Sequence, residues 1–154
     1  MAFDGANALQ SVNMPKVTTI GQQAFGSASK LENVNMPNVR TIEDYAFSST
    51  TSLTSVDMPN LTTIGKNAFS SLTSVNVPNV TTLGNYAFGY YLESITISDT
   101  ASNMNGYSFS TTYSTLTDVN CIENPSNANT CEQVKALMKQ NRARFSDDAF
   151  YIIT

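Results

Sequence analysis

Apolar residues recur along this chain in one template, Leu-x-x-Val-x-Met-Pro-x-Val-x-x-Ile-x-x-x-Ala-Phe, with polar residues between them. Anchored on the leading leucine, copies begin near residues 9, 31, 53, 72, 92 and 116, at spacings of 22, 22, 19, 20 and 24. A period in this range predicts a solenoid, because one unit is too small to bury its apolar face and must stack on its neighbours. Within each unit Val-x-Met alternates apolar and polar, the period of a strand with one buried face. The proline that follows cannot donate to a ladder and ends the strand. The β-branched Val-Thr-Thr-Ile stretch favours a second short strand. Gly21, Gly65 and Gly84 follow it and are expected to permit a tight turn, although Glu43 occupies the matching place in the second unit.

Aligning the units predicts interior columns. Val12, Val34, Val56, Val75, Ile95 and Val119 form one; Met14, Met36, Met58, Val77, Ile97 and Cys121 form the next. Phe25, Phe47, Phe69, Phe88 and Phe109 form an aromatic spine, once unit five is given one extra residue to bring Met104 and Phe109 into register. In the first four units length varies only between the Phe and the next Leu, from two residues after Phe69 to five after Phe25, which marks a surface loop. The expected architecture is a β-rich repeat solenoid of five to six short coils over residues 1–125. Residues 126–154 are expected to cap it.

The cap reads as a helix. Thr130-Cys131-Glu132-Gln133 fits a capping box, and Cys131, Val134, Leu137 and Met138 recur at helical spacing, with Lys135, Lys139 and Arg142 on the other side. A tail from Phe145 through Ile153 carries apolar residues enough to close the last coil. A basic amphipathic helix docked on a membrane or partner is the competing reading. Cys121 and Cys131 fit either a disulfide tying cap to stack or two buried free thiols.

The joint placing of Pro, Ile and Ala-Phe in these units resembles the BspA-type leucine-rich repeat, over about residues 2–122. That resemblance implies a leucine-rich-repeat fold and an extracellular adhesion or host-interaction role on bacterial or protozoan cell surfaces. Some repeats of this sort occur on bacteriophage particles, which implies a virion setting as the alternative. The loop position often held by Cys in the family carries Ser27 or Ser49 here.

Composition narrows the chemistry. Only 13% of residues are charged, and residues 1–125 carry four basic against nine acidic residues, a net −5. An acidic array lacks the basic stripe that nucleic acid requires, and no apolar run is long enough to span a membrane. The chain contains no His, which removes the commonest general base and the Ser/Cys–His nucleophile arrangements. Two cysteines without His do not make a zinc site by spacing, and no Gly-rich phosphate loop is present. No enzyme activity, metal or cofactor is expected. The carboxylate pairs Glu43-Asp44 and Asp147-Asp148 read as solvated surface, with glycan hydrolysis as a remote third possibility. Asn60-Leu61-Thr62 and Asn79-Val80-Thr81 match the glycosylation sequon but are explained by the repeat consensus.

Binding potential concentrates on the exposed side of the Val-x-Met strands, with Asn13, Asn33, Asn35, Ser55, Asp57, Ser74, Asn76 and Thr96 as candidate ligand-binding residues. Open sheet faces of repeat arrays are frequent binding surfaces. The alternative is an Asn/Ser ladder that solvates the sheet and pairs coil to coil. Tyr45, Tyr86, Tyr107, Tyr90 and Tyr91 are a second candidate set, the first three expected to pack between coils. Ala2-Phe3 sit where the Ala-Phe of a preceding unit would end. This suggests either a fragment of a longer array behind an added Met1, or an open coil covered by a neighbouring subunit. The expected function is a non-enzymatic module binding a protein or glycan, or else a structural component of a particle.

Overall fold

The computed structural model describes residues 2–104, 107–109, 116–141 and 143–154, so that Met1 and Arg142 lie outside the described residues. Each repeat closes one coil and contributes two short strands. These are β1 (Ser11–Asn13) and β2 (Thr19–Ile20), β3 (Asn33–Asn35) and β4 (Thr41–Ile42), β5 (Ser55–Asp57) and β6 (Thr63–Ile64), β7 (Ser74–Asn76) and β8 (Thr82–Leu83), then β9 (Ser94–Ser98) and β10 (Asn103–Met104). The sixth unit adds β11 (Asp118–Ile122), followed by helix α1 (Cys131–Gln140) and strand β12 (Phe150–Ile153). All pairings are parallel and link like positions of successive coils, such as Ile42 with Ile64 and Val75 with Ile95. The extra residue in unit five is absorbed as expected, with Met104 paired to Leu83 and Phe109 bridged to Phe88.

Strands β2, β4, β6, β8 and β10 form one unbroken back sheet, in the order β10-β8-β6-β4-β2. The Val-x-Met strands, joined by the tail strand β12, form a front sheet in two pieces, β1-β3 and β12-β11-β9-β7-β5. Between the sheets the Met, Ile and Leu columns are almost fully buried from the second coil onward, except at Met104, which is half-buried. The Phe spine extends back to Phe3, which stacks on Phe25 with centroids 5.1 Å apart. The next two steps, Phe25 to Phe47 and Phe47 to Phe69, are 5.0 and 5.2 Å. Between Phe69 and Phe88 the spacing opens to 6.4 Å.

Two local expectations are refined. Turns follow Gly65 and Gly84 as expected, but these glycines are not themselves left-handed. A Cβ at Gly65 would lie 2.6 Å from the Asp44 nitrogen, and one at Gly84 2.6 Å from the Lys66 nitrogen, so close approach of neighbouring coils selects glycine there. The left-handed conformation falls two residues later, at Gln23, Tyr45, Asn67 and Tyr86 (φ 54°, 60°, 49° and 53°). The Val column is also not uniformly interior, since Val12 and Val34 are only half-buried.

At the carboxy-terminal end, Thr130 caps α1 reciprocally with Gln133: the Gln133 amide donates to Thr130 Oγ1 (3.3 Å) and the Thr130 amide to Gln133 Oε1 (2.7 Å). Cys121 and Cys131 are joined by a disulfide, Cα atoms 5.8 Å apart, which ties the helix to β11. The buried Asp99 carboxylate accepts from the Asn124 amide (2.6 Å) and Asn127 Nδ2 (2.5 Å), fixing the connecting segment. Lys135 and Lys139 both reach Asp147 Oδ1 (3.2 and 2.7 Å), which turns the basic side of the helix toward the chain's own tail. That tail becomes an additional parallel strand beside β11, burying Phe150 while Tyr151, Ile152 and Ile153 remain exposed.

Candidate functional site

Strand alternation places the candidate ligand residues on the outer side of the front sheet, since the valine between each pair points inward. At most coil junctions the strands are stitched by the same main-chain bonds. Glu32 and Asn33 donate to the Gln10 carbonyl, Thr73 and Ser74 to Thr54, Glu93 and Ser94 to Thr73, and Thr117 and Asp118 to Glu93. The strand ends repeat a second bond, from Met14 to the Asn35 carbonyl, Met58 to Asn76 and Val77 to Thr96. Between β3 and β5 this pattern is missing. Among the described residues no main-chain hydrogen bond joins these two strands.

The side chains break at the same place. Asn35 Nδ2 donates to Asn13 Oδ1 (2.9 Å), and Asn76 Nδ2 donates to Asp57 Oδ1 (2.7 Å), but Asn35 and Asp57 are not bonded to each other. The coil-to-coil ladder therefore exists in two halves, with an open cleft of about 440 Å³ at their meeting point. Six of the eight candidate residues take part: Asn33, Asn35, Ser55, Asp57, Ser74 and Asn76 line the cleft. Asn13 stands behind Asn35 in the ladder, and Thr96 lies on β9 beyond the cleft. Glu32 also lines it, as do Val34 and Val56, which the repeat pattern assigns to the interior column.

Elsewhere the same two coils remain tied. Asn60 Nδ2 donates to the Pro37 carbonyl (2.8 Å), Thr62 Oγ1 to the Arg40 carbonyl (2.9 Å), and the Phe47 amide to the Ala68 carbonyl (2.8 Å). The split is thus confined to the front. The main-chain groups on its walls line an open cleft where water can satisfy them, so the opening costs little.

The other candidate chemistry resolves into structure. Glu43 Oε2 accepts from the Gln22 amide (2.9 Å) and Asp44 Oδ1 from the Lys66 amide (2.7 Å), so this pair caps main-chain groups of the coils on either side. Asp147 has its pKa lowered, first by its hydrogen bond from Lys139 and then by that from Lys135. Asn60 and Asn79, the sequon positions, donate their side-chain amides to the Pro37 and Pro59 carbonyls (2.8 and 2.6 Å), as Asn38 does to Pro15 (2.7 Å). The repeat consensus therefore has a direct physical use for asparagine. Among the described residues no cluster of three or more His, Cys, Asp or Glu is placed to hold a metal. Of the tyrosines expected to pack between coils, Tyr86 and Tyr107 stack on each other across adjacent coils at 5.9 Å while staying partly exposed, and Lys66 lies over the Tyr45 ring at 5.7 Å.

The family model for the BspA-type leucine-rich-repeat region matches residues 1–115 and 70–151, with six copies. No curated protein matches the chain. Repeats of this family are generally surface-associated adhesion or binding units. Among the described residues no helix is long and apolar enough to cross a membrane. With the repeat register, the stacked coils and the family match in agreement, this chain belongs to the BspA-type leucine-rich-repeat family.

Proposed function

We propose that this chain is a non-enzymatic binding module of a cell-surface protein. It recognises a protein ligand through the exposed face of the front sheet, centred on the cleft between β3 and β5. The observation that supports the reading is the interrupted ladder: main-chain donors and acceptors of both strands face an open cleft rather than each other. An extended peptide presents the complementary set, which makes strand addition the matching recognition mode. Glu32 and Asp57 on the rim, within an array of net charge −5, favour a basic segment. A glycan would use the Asn and Ser side chains but leave most of those main-chain groups unanswered. The disulfide suits an oxidising compartment, in keeping with a surface location.

Panning a random phage-displayed peptide library against the intact chain tests the reading. Enrichment of basic, extended peptides that lose binding to Glu32→Lys and Asp57→Lys variants is expected. Enriched peptides that bind those variants as well as the native chain would place recognition elsewhere. A second reading, a structural component of a phage or other particle, is favoured by β12, whose Tyr151, Ile152 and Ile153 are exposed beside β11. Light scattering across a concentration series separates the two, since assembly through β12 gives a mass that rises with concentration and falls on Ile152→Lys substitution.

A further inference from the structure

A second site lies away from the front cleft and shares no lining residue with it. It originates in loop length. The second coil has five residues between Phe47 and Leu53, the third only Ser70 and Ser71 before Leu72, and the fourth has Gly89, Tyr90 and Tyr91 before Leu92. The short third loop leaves a notch of about 280 Å³ between its longer neighbours, near the lower end of small-molecule sites. Gly89 lines the notch beside Ser70. It presses so closely on Ser70 that any Cβ there would collide with the Ser70 carbonyl.

The walls are aromatic and the polar groups are neutral. Tyr45 comes from the second coil, and Tyr86 and Tyr90 from the fourth, while Ser49, Asn67 and Ser70 supply hydroxyls and an amide. Tyr107, in the fifth coil, stacks on Tyr86 from the side away from the notch, and Lys66 lies over Tyr45, so neighbouring groups brace both walls. Tyr86 is 39% exposed and Tyr90 47%. Repeat geometry places a left-handed residue at this column in successive coils, so Tyr45, Asn67 and Tyr86 project from equivalent positions.

We propose that this notch binds one pyranose ring of a neutral glycan. A pyranose offers an apolar C–H face to a tyrosine ring and a rim of hydroxyls to serine and asparagine. The notch presents those two surfaces side by side and lines itself with no charged residue. A peptide would match the tyrosines but exceed a recess of this size, and Lys66, whose Nζ lies over the Tyr45 ring, borders the notch without lining it.

The test uses the intact chain on an array of neutral oligosaccharides built from glucose, galactose, mannose and N-acetylglucosamine, with sialylated and sulfated glycans beside them. The best neutral binder is then titrated while amide resonances are followed. Saturable shifts at Ser49, Asn67 and Ser70 are expected, together with at least tenfold weaker binding for Tyr90→Ala and Tyr86→Ala. Tyr86→Phe, which keeps the ring, is expected to retain most of the affinity. Thermal melting establishes that each variant is folded, and because Tyr90 lies in an exposed loop its variant reads binding without core damage. No binding by any neutral glycan, exclusive binding of charged glycans, or binding indifferent to Tyr90→Ala would each overturn the proposal. Peptides selected on the front cleft keep their affinity for these variants if the two sites are separate, so either reading can fail alone.

Discussion

The second and third coils meet twice, once in the back sheet and once in the front, and the two meetings differ. At the back, β4 and β6 pair in register, Phe47 stacks on Phe69, and Asn60 bridges to Pro37. At the front, β3 and β5 face each other without a bond and leave a cleft. The sequences at the two meetings are equally faithful to the repeat. Cohesion between coils therefore resides in the buried columns and the asparagine ties, and the front ladder adds to it without being required. A solenoid built this way can open its binding face and stay folded, because hydrophobic burial is cooperative through the core whereas surface ladder bonds exchange readily with water.

Breaking the closed side gives the largest expected effect. Phe47→Ala removes a fully buried ring from the spine and is expected to cost about 3–5 kcal/mol. Val34→Ala, at the half-buried lip of the cleft, is expected to cost only about 1 kcal/mol. Chemical denaturation of both variants reads the difference, and equal losses would mean the front is as integral as the back.

Reducing Cys121–Cys131 comes next. The short loop it closes corresponds to about 3 kcal/mol in the chain-entropy account. The loss should appear as earlier melting in reducing buffer, with the cap and β11 affected before β1 and β3. Asn60→Ala, which cuts a side-chain tie across the same junction, is expected to cost about 1 kcal/mol. A matching Asn35→Ala variant at the cleft should be close to neutral for the β3–β5 contact, since Asn35 pairs backward to Asn13.

Hydrogen exchange sharpens the comparison without mutation. Amides of Val34, Met36, Ser55 and Asp57 that face the split should exchange well before those of Thr73, Ser74 and Met58, which are bonded across intact junctions. Uniform protection along the front sheet would contradict an open cleft. The smallest effect concerns the tail. Asp147 has a lowered pKa, so its ion pairs with Lys139 and Lys135 contribute above the unfolded carboxylate pKa and are lost as pH falls through the folded one. Asp147→Asn should shrink the drop in melting temperature between neutral pH and strong acid, and added salt should weaken the contribution, since the site is exposed.

Much of this was legible from residues alone. The template located every coil, and the capping box at Thr130 marked the helix start, because capping depends on neighbours in sequence. The extra residue before Met104 was also readable, since one column had to be restored to register. The candidate face was legible as a face but not as a site. Asn35 and Asp57 occupy equivalent positions in adjacent repeats, and nothing local distinguishes the junction between them from those that pair. Glu32 was passed over for the same reason. The notch escaped differently: the short loop after Phe69 and the tyrosines were both visible, but not that one frames the other.

By itself, then, the sequence determined the period, the buried columns, the order of stacking and the helical end, all of which follow from which side chains must leave water and at what spacing. Only the tertiary structure decided where the front sheet parts, that close approach of coils rather than a left-handed φ selects Gly65 and Gly84, and which tyrosines meet around a recess. These depend on distances between residues about twenty positions apart, set by how each coil settles on the next, and a repeat pattern that treats its copies alike does not encode the departures between them.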